Sequence, residues 1–124
     1  MDLIKTFKET KGHLSKKAKA ICVELEVDLV WATENYIQAK RGNNCIAYTD
    51  GDEIVMVGIK DKLDLFTFFH EVGHVILHHK KNISSDVFAS NLKFYEKQAD
   101  DFAEEIMRKL YKNINNVIWT CRNF

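Results

Sequence analysis

Phe66-Thr67-Phe68-Phe69-His70-Glu71-Val72-Gly73-His74-Val75-Ile76-Leu77-His78 is the stretch on which the reading of this chain turns. Its centre, His70 to His74, has the pattern H-E-x-x-H, and each fixed position has a chemical reason. Residues four apart on an α-helix lie one turn apart on nearly the same face. Two imidazoles so placed can hold one zinc ion from one side. Glu71 sits about 100° round the helix from His70. That offset carries its carboxylate past the metal, towards the water that attacks a substrate. The pattern points to a zinc-dependent hydrolase, a peptidase first. Taken alone, it also fits an amphipathic helix whose histidines pack at the edge of a core, so its surroundings must decide.

Working outward, the flanks predict a helix over residues 62–79. Asp61 is the expected N-cap, and Asp64 adds favourable charge to the first turn. Leu65, Phe69, Val72 and Ile76 mark a core stripe at helical spacing. His78, His79, Lys80 and Lys81 put basic groups at the C-terminal end, and Asn82 can end the helix. Gly73 in a helix interior costs about 1 kcal/mol against Ala. Close approach of another backbone is the expected compensation.

Before this helix, residues 45–48 and 53–59 read as strands joined at Thr49-Asp50-Gly51-Asp52, a strong hairpin signal. The run Ile54-Val55-Met56-Val57-Gly58-Ile59 is apolar on both faces, which places it within a sheet packed by helices. Residues 27–44 are ambiguous, with a short strand near 29–32 and then a polar loop. At the N-terminus, residues 2–11 and 15–25 form two helices, or one broken near Gly12. Leu3, Ile4 and Phe7 face inward in the first; Ala18, Ile21, Cys22 and Leu25 do so in the second, with Ser15 as its cap. After the central helix, a polar loop over 82–91 leads to a last helix over 92–112. Its buried face is Tyr95, Ala99, Phe102, Ile106 and Leu110. A tail over 114–124, with Val117, Ile118, Trp119 and Phe124, is expected to dock on the domain.

The 124 residues suit one compact domain, 1–124, of α+β class. Lys+Arg and Asp+Glu balance at 18 each, so charge gives no reason to expect direct nucleic-acid binding. The lysine-rich first twenty residues read as a solvated helix face. Cys22, Cys45 and Cys121 are widely spaced with no C-x-x-C, which fits single thiols in a reducing compartment. No apolar run approaches the ~18 residues of a membrane span, and lysines interrupt any leader-like segment. A cytoplasmic protein without a membrane partner is the expectation.

A catalytic zinc needs three protein ligands and an open position. The three-histidine form, H-E-x-x-H-x-x-G-x-x-H, is excluded because Leu77 and Lys80 stand at its later positions. The other common solution is a glutamate from a later helix, and Glu96, Glu104 and Glu105 are the candidates. Glu96 has the best company. Asp100 follows one turn later, where it can accept a hydrogen bond from a ligating histidine and fix its tautomer. Solvated helix charges are the plainer reading of the same pair.

With these residues in hand, the chain resembles the ImmA/IrrE family of zinc metallopeptidases. The stretch from Phe66 to His78 is similar to F-T-x-x-H-E-x-G-H-x-x-L-H. The stretch Glu96-Lys97-Gln98-Ala99-Asp100-Asp101-Phe102-Ala103 is similar to E-x-x-A-[ND]-x-F-A. The likeness covers roughly residues 45–110. It implies a small zincin-like fold: N-terminal helices, a short antiparallel β-sheet, an active-site helix and a C-terminal helix carrying the third ligand. It implies zinc held by His70, His74 and Glu96, with Glu71 as catalytic base and Asp100 supporting a ligand. His78 matches a recurrent position to which no chemistry is assigned. Leu65 departs from a basic residue common five before the first histidine. Glu105-Ile106-Met107-Arg108 departs from a proline-containing ending.

The implied activity is peptide hydrolysis, with a helix-turn-helix transcriptional repressor of a phage or mobile element as protein substrate. The alternatives are an antirepressor that sequesters such a partner around a structural zinc, and a metal-free helical interaction module. Tyr95, Tyr48, His78 and His79 are candidate oxyanion donors. An extended substrate is expected to add as a strand along residues 52–59.

Overall fold

The H-E-x-x-H pattern lies on helix α4, Lys62–His74, which begins where its sequence dictates: the Asp61 side chain accepts a hydrogen bond from the Asp64 backbone N–H. In the computed structural model, which describes residues 2–111, α4 is buried at every position from Leu65 to His74. A helix apolar on nearly all sides must be covered on all sides. The cover comes from an N-terminal helix pair, a small sheet and the last long helix.

The N-terminal pair is α1, Leu3–Glu9, and α2, Leu14–Leu25. Gly12, at φ 121°, turns the chain between them. Ser15 does not cap α2; the cap position is His13, without a side-chain hydrogen bond, and the Ser15 hydroxyl donates to the Ile59 carbonyl instead. Lys17 is not merely solvated, because its ammonium donates to the carbonyls of Phe7 and Thr10 and so satisfies the end of α1. Phe7 meets Phe69 of α4 with ring centroids 6.1 Å apart.

The sheet holds β1, Asp28–Trp31; β2, Ala47–Thr49; and β3, Glu53–Met56, in the order β1-β3-β2. The hairpin of β2 and β3 is antiparallel, as expected. Its turn is held by Asp50, whose carboxylate accepts from the backbone N–H groups of Asp52 and Glu53, and by Gly51 at φ 98°. The sheet as a whole is mixed rather than antiparallel, because β1 pairs parallel to β3, Leu29 opposite Ile54. Side-chain alternation is the same in either direction, so strand sequences do not reveal it. The chain between β1 and β2, expected to be a polar loop, contains α3, Glu34–Arg41, capped by Thr33. Only Ile37 of that helix is buried, too little for an apolar period. As its doubly apolar sequence requires, β3 is central, with Ile54, Val55 and Met56 buried. Residues 57–59 lie outside it.

Beyond His74 the chain does not continue as an α-helix to residue 79. Val75–His79 widens into a π turn, closed by the Lys80 N–H on the Val75 carbonyl at 2.9 Å. Asn82, at φ 58°, follows. The expected loop over 82–91 contains a short helix, α5, Ser85–Ser90, capped by Ser84. The last helix is α6, Leu92–Leu110. Its fully buried line is Ala99, Ala103 and Met107, with Phe102, Ile106 and Leu110 only partly buried beside it. The expected stripe was thus displaced towards the larger side chains, while small residues occupy the tightest contact.

That contact explains Gly73. A Cβ there would lie 3.3 Å from the Ala99 Cα and 3.1 Å from the Phe102 ring. The α4–α6 seam therefore rests on one glycine and two alanines, and it brings the carboxylates of α6 to the histidines of α4. The result is a small α+β domain, with one hydrophobic cluster running from Leu3 to Met107. No helix among the described residues is long and apolar enough to cross a membrane. The tail over 114–124 and Cys121 lie outside the described residues.

Candidate metal centre

His70 and His74 project from α4 into the seam, and Glu96 projects from the second turn of α6 to meet them. His70 Nε2 lies 2.9 Å from Glu96 Oε2, and His74 Nε2 lies 3.0 Å from Glu96 Oε1. The two Nε2 atoms are 3.0 Å from each other. Three ligand atoms from these residues fall within 4.8 Å of one another, and the group could hold a metal ion. Glu104 and Glu105 do not join it; they pair with Arg108 and Lys109 along α6.

The hydrogen bonds behind the rings test whether these donors suit a cation. Asp100 Oδ1 lies 2.7 Å from His70 Nδ1, so Nδ1–H donates outward and leaves Nε2 with its lone pair facing inward. His74 Nδ1 is likewise engaged away from the centre, with His78 Nδ1 at 2.8 Å. Two imidazole nitrogens and a carboxylate thus converge on one point. A tetrahedral ion with ligands at about 2.0–2.1 Å would set them about 3.3 Å apart, a few tenths wider than they stand. The donor set fits a metal ion.

Without a metal the same convergence must be neutralised by a proton. Burial pulls the His70 imidazole down, but hydrogen bonds to Asp100 and Glu96 outweigh it and raise its pKa to about 9. Burial pushes the Glu96 carboxyl up, yet the two histidines outweigh that and bring it to about 2. A proton on His70 therefore occupies the place a metal would take, and metal entry must release it.

Glu71 stands beside this group without belonging to it. It is 6% exposed and lines the cleft, and its carboxylate makes no hydrogen bond among the described residues. Burial raises its pKa above the ordinary carboxyl value, against the pull of His70 and His74. An unshared carboxylate with raised basicity, facing a cleft, is suited to taking a proton.

The cleft encloses about 850 Å³. Its walls are the end of α3 with the following loop, β2, the end of α4 and the α5 region. Three residues in or beside the cleft lay outside the sequence-based site. Gln98 Oε1 lies 3.0 Å from His78 Nε2, which gives His78 a polar partner at each ring nitrogen. Phe88 of α5 packs edge-on against His74 and His78, with centroids at 5.5 and 5.4 Å, and stacks on Tyr95. Arg41, in the last turn of α3, lies over the Tyr48 ring on the cleft wall. The His78–Gln98 pair had a weak signal, since the two residues fall inside the two motif blocks; Phe88 and Arg41 had none.

Of the four expected oxyanion donors, Tyr48, His78 and His79 line the cleft. His78 is committed at both nitrogens, and Tyr95 is turned against the His78 ring at 4.6 Å. The expected strand addition along 52–59 is corrected by the topology: β3 has neighbours on both sides, whereas β2 is an edge and lines the cleft. No family model, curated protein or solved structure matches the chain.

Proposed function

We propose that this protein is a zinc metallopeptidase with a zincin-like fold, of the ImmA/IrrE type. The observation that carries the reading is the convergence of His70, His74 and Glu96 beside a buried, unshared Glu71 at the floor of an open cleft. Zinc bound there would polarise a scissile carbonyl and lower the pKa of the attacking water. Glu71 takes the proton from that water and passes it to the leaving amine. Asp100 holds His70 in the ligating tautomer. Tyr48 or His79 supplies a donor to the developing oxyanion from the cleft wall. The outer edge of β2 offers backbone groups to an extended peptide, which lays its scissile bond alongside α4.

The substrate we propose is a helix-turn-helix repressor, whose cleavage relieves repression. This rests on the likeness of the two sequence blocks to the family. Glu71→Gln with zinc retained tests the catalytic reading. Cleavage of the partner should fall about 10²- to 10⁴-fold. If derepression persists unchanged in that variant, the protein acts by sequestering its partner and the zinc is structural.

A further inference from the structure

The second histidine of the centre is oriented differently from the first, and the difference assigns work to two further residues. A histidine can ligate through Nε2 only when Nε2 carries no proton, so Nδ1 must carry it. For His70 the carboxylate of Asp100 settles this, because it only accepts. For His74 the neighbour is another imidazole, His78, with the two Nδ1 atoms 2.8 Å apart. An imidazole nitrogen donates or accepts according to its tautomer. His78 alone therefore settles nothing.

Gln98 breaks the tie. Its Oε1 stands 3.0 Å from His78 Nε2, and an amide oxygen can only accept. His78 Nε2–H therefore donates to Gln98, and His78 Nδ1 keeps its lone pair. That lone pair is placed to accept from His74 Nδ1–H, which frees His74 Nε2 to ligate a metal together with Glu96 Oε1, 3.0 Å away. Reversing the amide reverses every step: His78 would donate to His74, and His74 Nε2 would carry a proton into the centre. The chain is held in place. His78 is 2% exposed, seated on the π turn and flanked by the rings of Phe88 and Tyr95. We propose that Gln98 and His78 are positioning residues, a relay from the surface of α6 that sets the tautomer of His74 and so determines whether the centre accepts a metal.

The inference rests on the metal-centre reading, and its test separates the two. Zinc affinity is measured by competition with a chromophoric chelator, and the His78 tautomer by ¹⁵N NMR of the zinc-loaded protein. Gln98→Met, at a partly exposed site that tolerates the change, should weaken zinc about tenfold. It should also convert His78 from one Nε2–H tautomer to a mixture. Gln98→Glu, which keeps an acceptor, should hold zinc within about threefold of the parent protein or more tightly. His78→Asn, whose side-chain oxygen can stand in for Nδ1, should bind zinc better than His78→Leu. If Gln98→Met stays within about twofold of the parent with His78 still protonated at Nε2, the relay is wrong while the centre stands. If the parent protein binds no zinc, the centre itself is wrong and the relay falls with it.

Discussion

Helices α4 and α6 both supply ligand atoms to the centre, but they are held by different means. In α4, every residue from Leu65 to His74 is buried, and the histidines are fixed by packing on all sides. In α6, only Ala99, Ala103 and Met107 are buried, and the side chains of Glu96 and Asp100 remain about a third exposed. The first helix is a rigid base plate; the second is a solvent-facing arm attached along a narrow line of small residues. A metal site between them inherits its precision from α4 and its adjustability from α6. Substitutions in α4 should therefore damage the fold, and substitutions on α6 should damage metal binding with the fold intact.

The strongest challenge to this contrast is a matched pair of truncations. Phe69→Ala, in α4 at 0% exposure, should destabilise by about 3–5 kcal/mol. Phe102→Ala, on the partly buried flank of α6, should destabilise by only about 1–2 kcal/mol. Equal losses in urea unfolding would remove the distinction. Next comes the seam. Gly73→Val places branched carbon against Ala99 and Phe102 and should destabilise by about 1–3 kcal/mol through overpacking. It should also weaken zinc, because α6 must move away with Glu96; a variant that unfolds more easily yet binds zinc as before would contradict this. Asp100→Ala should leave the unfolding midpoint nearly unchanged while weakening zinc about tenfold, since its side chain is 36% exposed and its described role is the bond to His70.

The smallest expected effect is a pH dependence of the metal-free protein. His70, raised from 6.5 to about 9, contributes stability that is fully present below pH 6.5 and lost as pH rises through about 9. Glu96, lowered from 4.5 to about 2, contributes stability that is present above pH 4.5 and lost as pH falls through about 2. The pair is therefore fully effective between pH 4.5 and 6.5. Urea unfolding with a chelator present should show the alkaline loss, and saturating zinc should abolish it by taking the proton's place. An alkaline loss that persists unchanged with zinc bound would show that it does not come from His70.

The same contrast decides what could be read from sequence. The central helix was legible because its signals are local: a capping aspartate, apolar residues at helical spacing and two histidines one turn apart. Glu96 was legible through Asp100 one turn on, and the structure brings both to His70. Gly73 was legible as a need for close approach, which Ala99 and Phe102 supply. Helices α3 and α5 were missed because one buries a single residue and the other none. The parallel pairing of β1 with β3 was missed because residues on a strand face inward or outward alike in either direction. The π turn left no trace in composition, and without it the contacts of His78 with His74 and Gln98 could not be foreseen. Relationships between distant segments, rather than patterns within one, were the part that needed three dimensions.

Gly73 also bears on how this molecule can change by mutation. Glycine is the only amino acid without a Cβ, so every single-codon replacement at position 73 adds the atom for which Ala99 and Phe102 leave little room. The position has no mild neighbour in sequence space. The cleft rim is different: Leu92 is about half exposed, and it can be exchanged in small steps without moving a ligand. Drift can therefore reshape what the cleft admits while the seam between α4 and α6 stays locked, and a library meant to retarget the protein should vary the rim and leave the seam alone.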